Sequence, residues 1–314
     1  MSDIKDVIMI GAGPSSLAAA VYTTREHIDT LLLEKAAIGG LAAITDIVDN
    51  YPGFPDGIEG MKLAGELEKQ AERFGAVIDY GEVTEIRDEG KEKVVVSDGK
   101  ELRAKTLLIS TGSDYNKIGV PGEAEYYGRG VHYCATCDGA FYKEKKLVVV
   151  GGGNSAVQES LFLTRFASHI DMLVRSEVKA SEVLEDELKK YIDEGKITVH
   201  LNTTTEEIVA TDGKVSLVKA KKDGKSVDFK TDGVFVFVGL KPNTGFLEGS
   251  GVELDERGLV KTDGKLQTNL EGVFASGDVR SGATMQIASA VGEGATAALS
   301  IREYLDEHKR KHSK

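Results

Sequence analysis

The chain has 314 residues, enough for two domains, and its 41% hydrophobic and 29% charged content is that of a soluble globular protein. A formal net charge of −12 argues against broad nucleic-acid binding, because phosphates would be repelled without a strong basic patch. No apolar run approaches a membrane span, Met1 to Lys5 carries no basic region ahead of an apolar segment and hence no visible signal peptide, and two cysteines at redox-motif spacing fit a reducing cytoplasm.

With 36 Gly against 5 Pro, the composition suits α/β units with tight glycine turns. Asp6–Ile10 predicts a buried parallel strand running into the turn Gly11-Ala12-Gly13-Pro14-Ser15-Ser16. A helix of small residues follows from Leu17 to about Arg25, and Thr30–Glu34 is the second strand of a βαβ unit. Met61–Phe74 has helical periodicity. Val77-Ile78 and Lys93–Val96 read as strands, with Ser97-Asp98-Gly99 as a turn, and Thr106–Ser110 is a short apolar strand ending at Thr111-Gly112.

The pattern then starts again. Lys146–Val150 is a strand, Gly151–Ala156 a glycine-rich turn, Val157–Phe166 a helix, and Ile170–Val174 the next strand. Val234–Val238 closes this region at Gly239, and a last segment holds Gly272–Asp278 and a helix from about Ile287 to Tyr304. The basic tail His308–Lys314 reads as a frayed, solvated helix end with cations near its negative pole. One supersecondary unit is thus repeated, which predicts an α/β protein with two Rossmann-like dinucleotide-binding domains.

Each glycine motif follows a strand and opens a helix, the context in which such a motif carries meaning. The first glycine makes the turn, the second lets backbone approach a pyrophosphate, and the third permits close helix–strand packing. In the first copy Ser16 takes the third position, with modest strain expected. Glu34 stands where a carboxylate accepts from ribose hydroxyls and repels a 2′-phosphate, so this site should hold FAD or NAD, not NADP. The second copy is Gly151, Gly153 and Ala156. Its following strand ends at Arg175, which can pair with a 2′-phosphate and favours NADPH over NADH; Glu177 opposes the phosphate and Lys179 assists.

Between the two repeats lies Cys134-Ala-Thr-Cys137-Asp138, holding the only cysteines of the chain. A pair at this spacing can open and close as a dithiol, and a dinucleotide site beside it points to two-electron traffic. Zinc and an inert buried pair are the alternatives. His132, Cys134 and Cys137 leave zinc one ligand short, and so short a loop offers a structural bridge little chain-entropy leverage. No metal site is predicted.

These residues, with Gly39-Gly40, Asn50–Phe54, Val120–Glu123, Asp138-Gly139 and Gly277-Asp278, resemble over nearly the whole length the low-molecular-weight thioredoxin reductases. The resemblance implies an FAD domain in two segments, 1–115 and 243–314, and a pyridine-nucleotide domain, 116–242, carrying the dithiol. It maps flavin contacts to Gly11, Gly13, Pro14, Ser15, Glu34, Gly40, Leu41, Asn50, Thr111, Gly112, Gly277, Asp278, Gln286 and Ile287. Asp278 would accept from the ribitol. Nicotinamide-nucleotide contacts map to Gly151, Gly153, Asn154, Ser155, Ala156, Arg175 and Lys179.

By the same resemblance, electrons pass from NADPH through FAD to the Cys134–Cys137 disulfide. Cys137 faces the flavin, Cys134 attacks the disulfide of thioredoxin or a thioredoxin-like protein, and Asp138 carries the proton. A cytoplasmic homodimer without nucleic-acid or membrane partners is implied, with the inserted domain turning about hinges at Gly112–Asn116 and Gly239–Asn243. Three positions depart from the family pattern. Arg175, Ser176 and Lys179 stand in place of a fuller arginine set, Met285 replaces a basic residue, and Leu41 replaces a glutamine. Reduced ferredoxin or a deazaflavin as donor, or a dithiol oxidase passing electrons to oxygen, are the alternative functions.

Overall fold

The computed structural model describes residues 4–45 and 47–312, without the side chains of 311 and 312. Of the predicted segments, Met1 to Asp3 and Ser313-Lys314 lie outside these residues. In chain order the structure begins with β1 (Lys5–Ile10), α1 (Pro14–Arg25), β2 (Thr30–Glu34), α2 (Gly40–Ala43), β3 (Ile47–Val48), β4 (Ile58–Glu59) and α3 (Gly60–Arg73). It continues with β5 (Val77–Tyr80), β6 (Val83–Asp88), β7 (Lys93–Ser97), β8 (Lys100–Ile109) and β9 (Ser113–Tyr115). Next come β10 (Val131–His132), α4 (Ala135–Asp138), β11 (Lys146–Val150), α5 (Asn154–Leu163), β12 (His169–Leu173), α6 (Glu182–Asp193) and β13 (Ile197–His200). The rest is β14 (Thr203–Thr211), β15 (Lys214–Lys222), β16 (Lys225–Lys230), β17 (Gly233–Val236), β18 (Leu240–Pro242), β19 (Val273–Ala275) and α7 (Ile287–His312).

The chain divides into two compact units, Met1–Asp114 with Lys241–Lys314, and Tyr115–Leu240. The first is built on a seven-stranded sheet of order β5-β2-β1-β8-β7-β6, with β19 also on β8. Strands β5, β2, β1, β8 and β19 are parallel; β6, β7 and the first half of β8 form an antiparallel meander. Strand β8 therefore runs ten residues, twice the predicted length, because its polar first half, Lys100–Arg103, serves the meander and its apolar second half the parallel core. Val7, Met9, Leu32, Leu108 and Phe274 pack on α1 and α7 on one sheet face. Gly294 on α7 makes this approach possible, since a Cβ there would lie 2.0 Å from the Ser15 carbonyl.

The second unit has a parallel five-stranded sheet of order β10-β17-β11-β12-β13 and a three-stranded antiparallel sheet β14-β15-β16. In the parallel sheet the central strands β11 and β17 are buried on both faces and read as apolar runs. Its two faces pack into separate clusters, one with α5 and α6 and one against the antiparallel sheet. Both units are Rossmann-like.

Several boundaries differ from the sequence reading, among them three helix ends. Helix α1 starts at Pro14, α5 starts at Asn154 so that the second turn is only Gly151–Gly153, and α7 continues to His312. Proline at the first helical position needs no amide partner, which explains the early start of α1. The basic residues predicted as a frayed end continue α7 as far as His312, with His308 stacked on Tyr304 at 5.7 Å.

Where the chain passes between units, β9 and β18 pair as a two-stranded ribbon. In the first unit the Asn243 amide donates to the Gly112 carbonyl at 3.1 Å. In the second the Asn116 amide donates to the Gly239 carbonyl at 3.0 Å.

Candidate active site

In the first unit, Gly11 has φ +95°, and a Cβ there would lie 2.6 Å from the Ser110 carbonyl. Only glycine fits. Gly13 is different: its backbone is extended, it caps α1, and a Cβ would meet nothing within 4 Å. That open space lies at a helix N-terminus with no side-chain cap and no acidic residue in its first turn. Unpartnered first-turn amides beside open space suit an anion. Gly40, with φ +54°, faces the same spot, since its Cβ would lie 4.0 Å from Gly13 Cα. The amide of Gly39 donates to the Ala12 carbonyl at 2.8 Å, fixing one loop on the other. Leu41 follows in α2, half-buried.

Ser16 is fully buried and donates its hydroxyl to the Gly11 carbonyl at 2.5 Å. The serine in the third glycine position is therefore satisfied by a hydrogen bond, where modest strain was expected. Ser15 shares a 2.6 Å hydrogen bond with Ser276. Glu34 is 9% exposed, and its two oxygens accept the amides of Ala12 and Ala36, both at 2.8 Å. It ties the glycine turn to the end of β2, a role the ribose expectation did not include.

Asn50 donates to the Gln286 side-chain carbonyl at 3.0 Å, which joins two predicted contacts 236 residues apart. Ile287 starts α7 and packs near Tyr51 and Phe54. Thr111 and Gly112 are clasped by Asn243: Thr111 Oγ1 donates to the Asn243 carbonyl at 2.7 Å, and Asn243 Nδ2 donates to the Thr111 carbonyl at 3.0 Å. Gly277 donates its amide to Glu293 at 2.8 Å, and Arg280 holds the other oxygen of Glu293 at 2.6 Å. Burial, with the charge of Glu293 behind it, pushes the Asp278 carboxyl up to about 6. Its side chain makes no hydrogen bond within the described residues, although its carbonyl accepts from Ser113 at 2.6 Å.

The second unit repeats the turn. Gly151 has φ +142° and a Cβ there would lie 2.3 Å from the Phe237 carbonyl, whereas Gly153 again faces open space at an uncapped helix start. Ala156 is fully buried, Ser155 is exposed, and Asn154 accepts the Ser181 amide at 2.8 Å. Lys179 joins the loop through its own amide, which donates to the Gly152 carbonyl at 2.7 Å. Its ammonium lies 3.3 Å from Glu177, both side chains being 71% exposed. Arg175 is exposed and has no partner among the described residues.

Cys134 and Cys137 form a disulfide across the first turn of α4, with Cα atoms 5.3 Å apart. Cys134 is the N-cap residue, and its sulfur accepts the Cys137 amide at 3.2 Å. Asp138 closes the same turn. Its Oδ2 lies 3.2 Å from Nδ1 of His132, whose Nε2 lies 2.7 Å from the Tyr142 hydroxyl. Sequence reasoning weighed His132 only as a zinc ligand and passed over Tyr142. The available signal was a buried His and Tyr flanking the cysteine motif.

Residues 5–294 match the family described as pyridine nucleotide-disulphide oxidoreductase. The chain is 43% identical over 97% of its length to a thioredoxin reductase of Bacillus subtilis, covering 96% of that protein. It is likewise 43% identical over 98% of its length to one from Listeria innocua, covering 95% of it. The crystal structure of thioredoxin reductase from Streptococcus pyogenes superposes with a TM-score of 0.92 at 37% identity, covering 98% of this chain and all of that one. A redox disulfide on one Rossmann-like unit, a second such unit and matches over nearly full length lead to one assignment: the chain belongs to the pyridine nucleotide-disulphide oxidoreductase family, among the thioredoxin reductases.

Proposed function

We propose that the chain reduces the disulfide of thioredoxin or a thioredoxin-like protein, with electrons passing from NADPH by way of FAD to Cys134–Cys137. The observation that carries this reading is the closed disulfide on the first turn of α4, in a unit that also holds its own glycine turn. FAD is assigned to the unit of segments 1–114 and 241–314 and the nicotinamide nucleotide to 115–240.

The first unit suits FAD. Gly13 and Gly40, beside open space, would hold its pyrophosphate, and Asp278, buried without a side-chain partner, would accept from a ribitol hydroxyl. Asn50, Gln286 and Ile287 line the approach, with Pro14, Ser15, Leu41, Thr111, Gly112 and Gly277 around them. Bound flavin supplies two-electron transfer between nicotinamide and disulfide. Cys137 receives the electrons, Cys134 leaves as the thiolate that attacks the substrate, and Asp138 gives and takes the proton. In the second unit Gly151, Gly153, Asn154, Ser155 and Ala156 hold the nucleotide pyrophosphate, and Arg175 holds the 2′-phosphate.

The Glu177–Lys179 ion pair favours a second reading, in which the same dithiol flavoprotein draws on another donor. Lys179 is partly neutralised where a phosphate would need it. Anaerobic mixing of the flavin-loaded protein with NADPH and with NADH separates the two. Rapid bleaching of flavin absorbance by NADPH supports the first; bleaching by neither, with normal reduction by dithionite, supports the second. Cys134→Ser should abolish thioredoxin reduction, and full retention would defeat the dithiol assignment. The reading extends to a cytoplasmic homodimer, which sedimentation tests.

A further inference from the structure

His132 has no part in the chemistry above, yet it is tightly held beside the dithiol. It ends β10, whose pairing with β17 sets it opposite Phe235, and its side chain is 6% exposed. Its ring lies 5.1 Å from that of Phe235 and 5.3 Å from that of Tyr142. Tyr142 is fixed in turn by Gly233, where a Cβ would come within 2.4 Å of the tyrosine ring. Asp138, His132 and Tyr142 thus form a chain with contacts of 3.2 Å and 2.7 Å.

A buried imidazole needs both nitrogens matched. Here the match survives a change of charge on Asp138. With Asp138 ionised, Nδ1–H faces the carboxylate, and Nε2 accepts from the Tyr142 hydroxyl. With Asp138 protonated, its O–H faces a bare Nδ1, and Nε2–H donates to the Tyr142 oxygen. Passing from the first state to the second adds one proton: it arrives at Nε2 from the Tyr142 side, and the Nδ1 proton moves to Asp138. Burial and the negative charges of Asp138 and Asp232 raise the Tyr142 hydroxyl above its ordinary range, so it takes part as a neutral phenol. Tyr127, raised by burial and by Asp138, likewise stays neutral, and Phe235 adds no charge.

We propose that His132, backed by Tyr142, is a positioning and relay residue that returns to Asp138 the proton it gives up when the Cys134–Cys137 disulfide opens. The proposal rests on the dithiol reductase reading. Opening the S–S bond takes two electrons, which bound reduced flavin would supply, and one proton from Asp138, and it yields one thiol and one thiolate. As Nε2 of His132 takes a proton from the hydroxyl of half-buried Tyr142, itself refilled from solvent, the Nδ1 proton passes to ionised Asp138 and the imidazole ends neutral. Asp138 is thereby recharged through His132 and Tyr142.

The test uses full-length, flavin-loaded wild-type, His132→Phe, His132→Asn and Tyr142→Phe proteins. Thioredoxin reduction is followed against pH, in light and heavy water. His132→Phe keeps a ring against Phe235 and removes both nitrogens. It should lower kcat about tenfold to hundredfold with KM for thioredoxin unchanged, raise the solvent isotope effect and displace the pH profile. Tyr142→Phe should give a smaller loss of the same kind, and the double variant no more than His132→Phe alone. His132→Asn restores a polar group near Asp138 without a second nitrogen, so it should recover the pH profile but not the isotope effect.

Ring-nitrogen NMR shifts of the wild-type protein should show a neutral ring whose proton moves from Nε2 to Nδ1 as pH rises, a readout independent of turnover. An unchanged kcat, pH profile and isotope effect in His132→Phe overturns the relay, as does a ring proton fixed on one nitrogen across the pH range. If His132→Phe fails to fold, Tyr142→Phe and His132→Asn decide on the same criteria. Wild-type protein that reduces no disulfide with any donor defeats the reductase reading, and the relay with it; turnover in wild type with no response in the variants defeats the relay alone.

Discussion

Glu34 accepts the amide of Ala12 at 2.8 Å, so the acidic residue that ends the second strand is bonded to the middle of the glycine turn. Its other oxygen accepts from Ala36. Glu34→Gln replaces one acceptor with an NH₂ group and leaves a backbone donor without a partner, at a cost of about 1–3 kcal/mol. Thermal unfolding of flavin-free protein should show the loss. A carboxylate that served only the ribose would leave that stability unchanged.

The two glycines of each turn should respond oppositely to alanine. Gly11→Ala and Gly151→Ala force a Cβ against a carbonyl at 2.6 Å and 2.3 Å, at positive φ, and should destabilise the fold. Gly13→Ala and Gly153→Ala meet open space, so the folded protein should keep its thermal midpoint. Nucleotide binding should nonetheless weaken by about tenfold or more, at the flavin for Gly13 and at the nicotinamide nucleotide for Gly153. Calorimetry and equilibrium titration of the four variants check this.

Asp278 should give a pH signature. Its carboxyl is raised from 3.8 to about 6, so the fold holds the proton more tightly than the unfolded chain does. The stability of flavin-free protein should therefore fall as pH rises from about 4 to about 6 and then level off. Asp278→Asn should remove this slope and stabilise the flavin-free protein near neutrality, by about 3 kcal/mol at most. Flavin affinity of the wild-type protein should rise through the same window, because a ribitol hydroxyl donates to the ionised form. Unfolding midpoints and flavin titrations against pH measure both.

Donor choice should turn on Glu177. Glu177→Ala frees the Lys179 ammonium and removes a negative charge from the expected phosphate position. The ratio of kcat/KM for NADPH over NADH should rise about threefold to tenfold, with the gain shrinking at high salt. Arg175→Ala should lower the NADPH value and leave NADH unaffected.

Much of this architecture was legible in the sequence because parallel strands buried on both faces are continuous apolar runs. Thr30–Glu34 and Lys146–Val150 have the predicted ends. The sheet β14-β15-β16 was not read: its strands are rich in Thr and Lys and bury only some residues, alternately along Thr203–Glu206, so no apolar run marks them. The start of α5 was misplaced because Asn154 and Ser155 resemble turn residues, yet here they form the first helical turn. The glycines, cysteines and Asp138 stand in local motifs. The linkage of Asp138 to His132 and Tyr142 follows no helical or strand period, and it depends on β10 lying against β17. The Asn50–Gln286 bond spans 236 residues and has no local signature.

The paired bonds at the two crossings make the inner unit a cassette. Its first and last residues are tied to each other through Asn116 and Gly239, while the severed edges of its host are tied through Gly112 and Asn243. Neither piece needs the other to close its own backbone. Excising the cassette and joining Gly112 to Asn243 through a short turn should leave the host sheet continuous, and a gene encoding the cassette alone would begin and end at one spot. Such an insertion can be exchanged between proteins as a single graft.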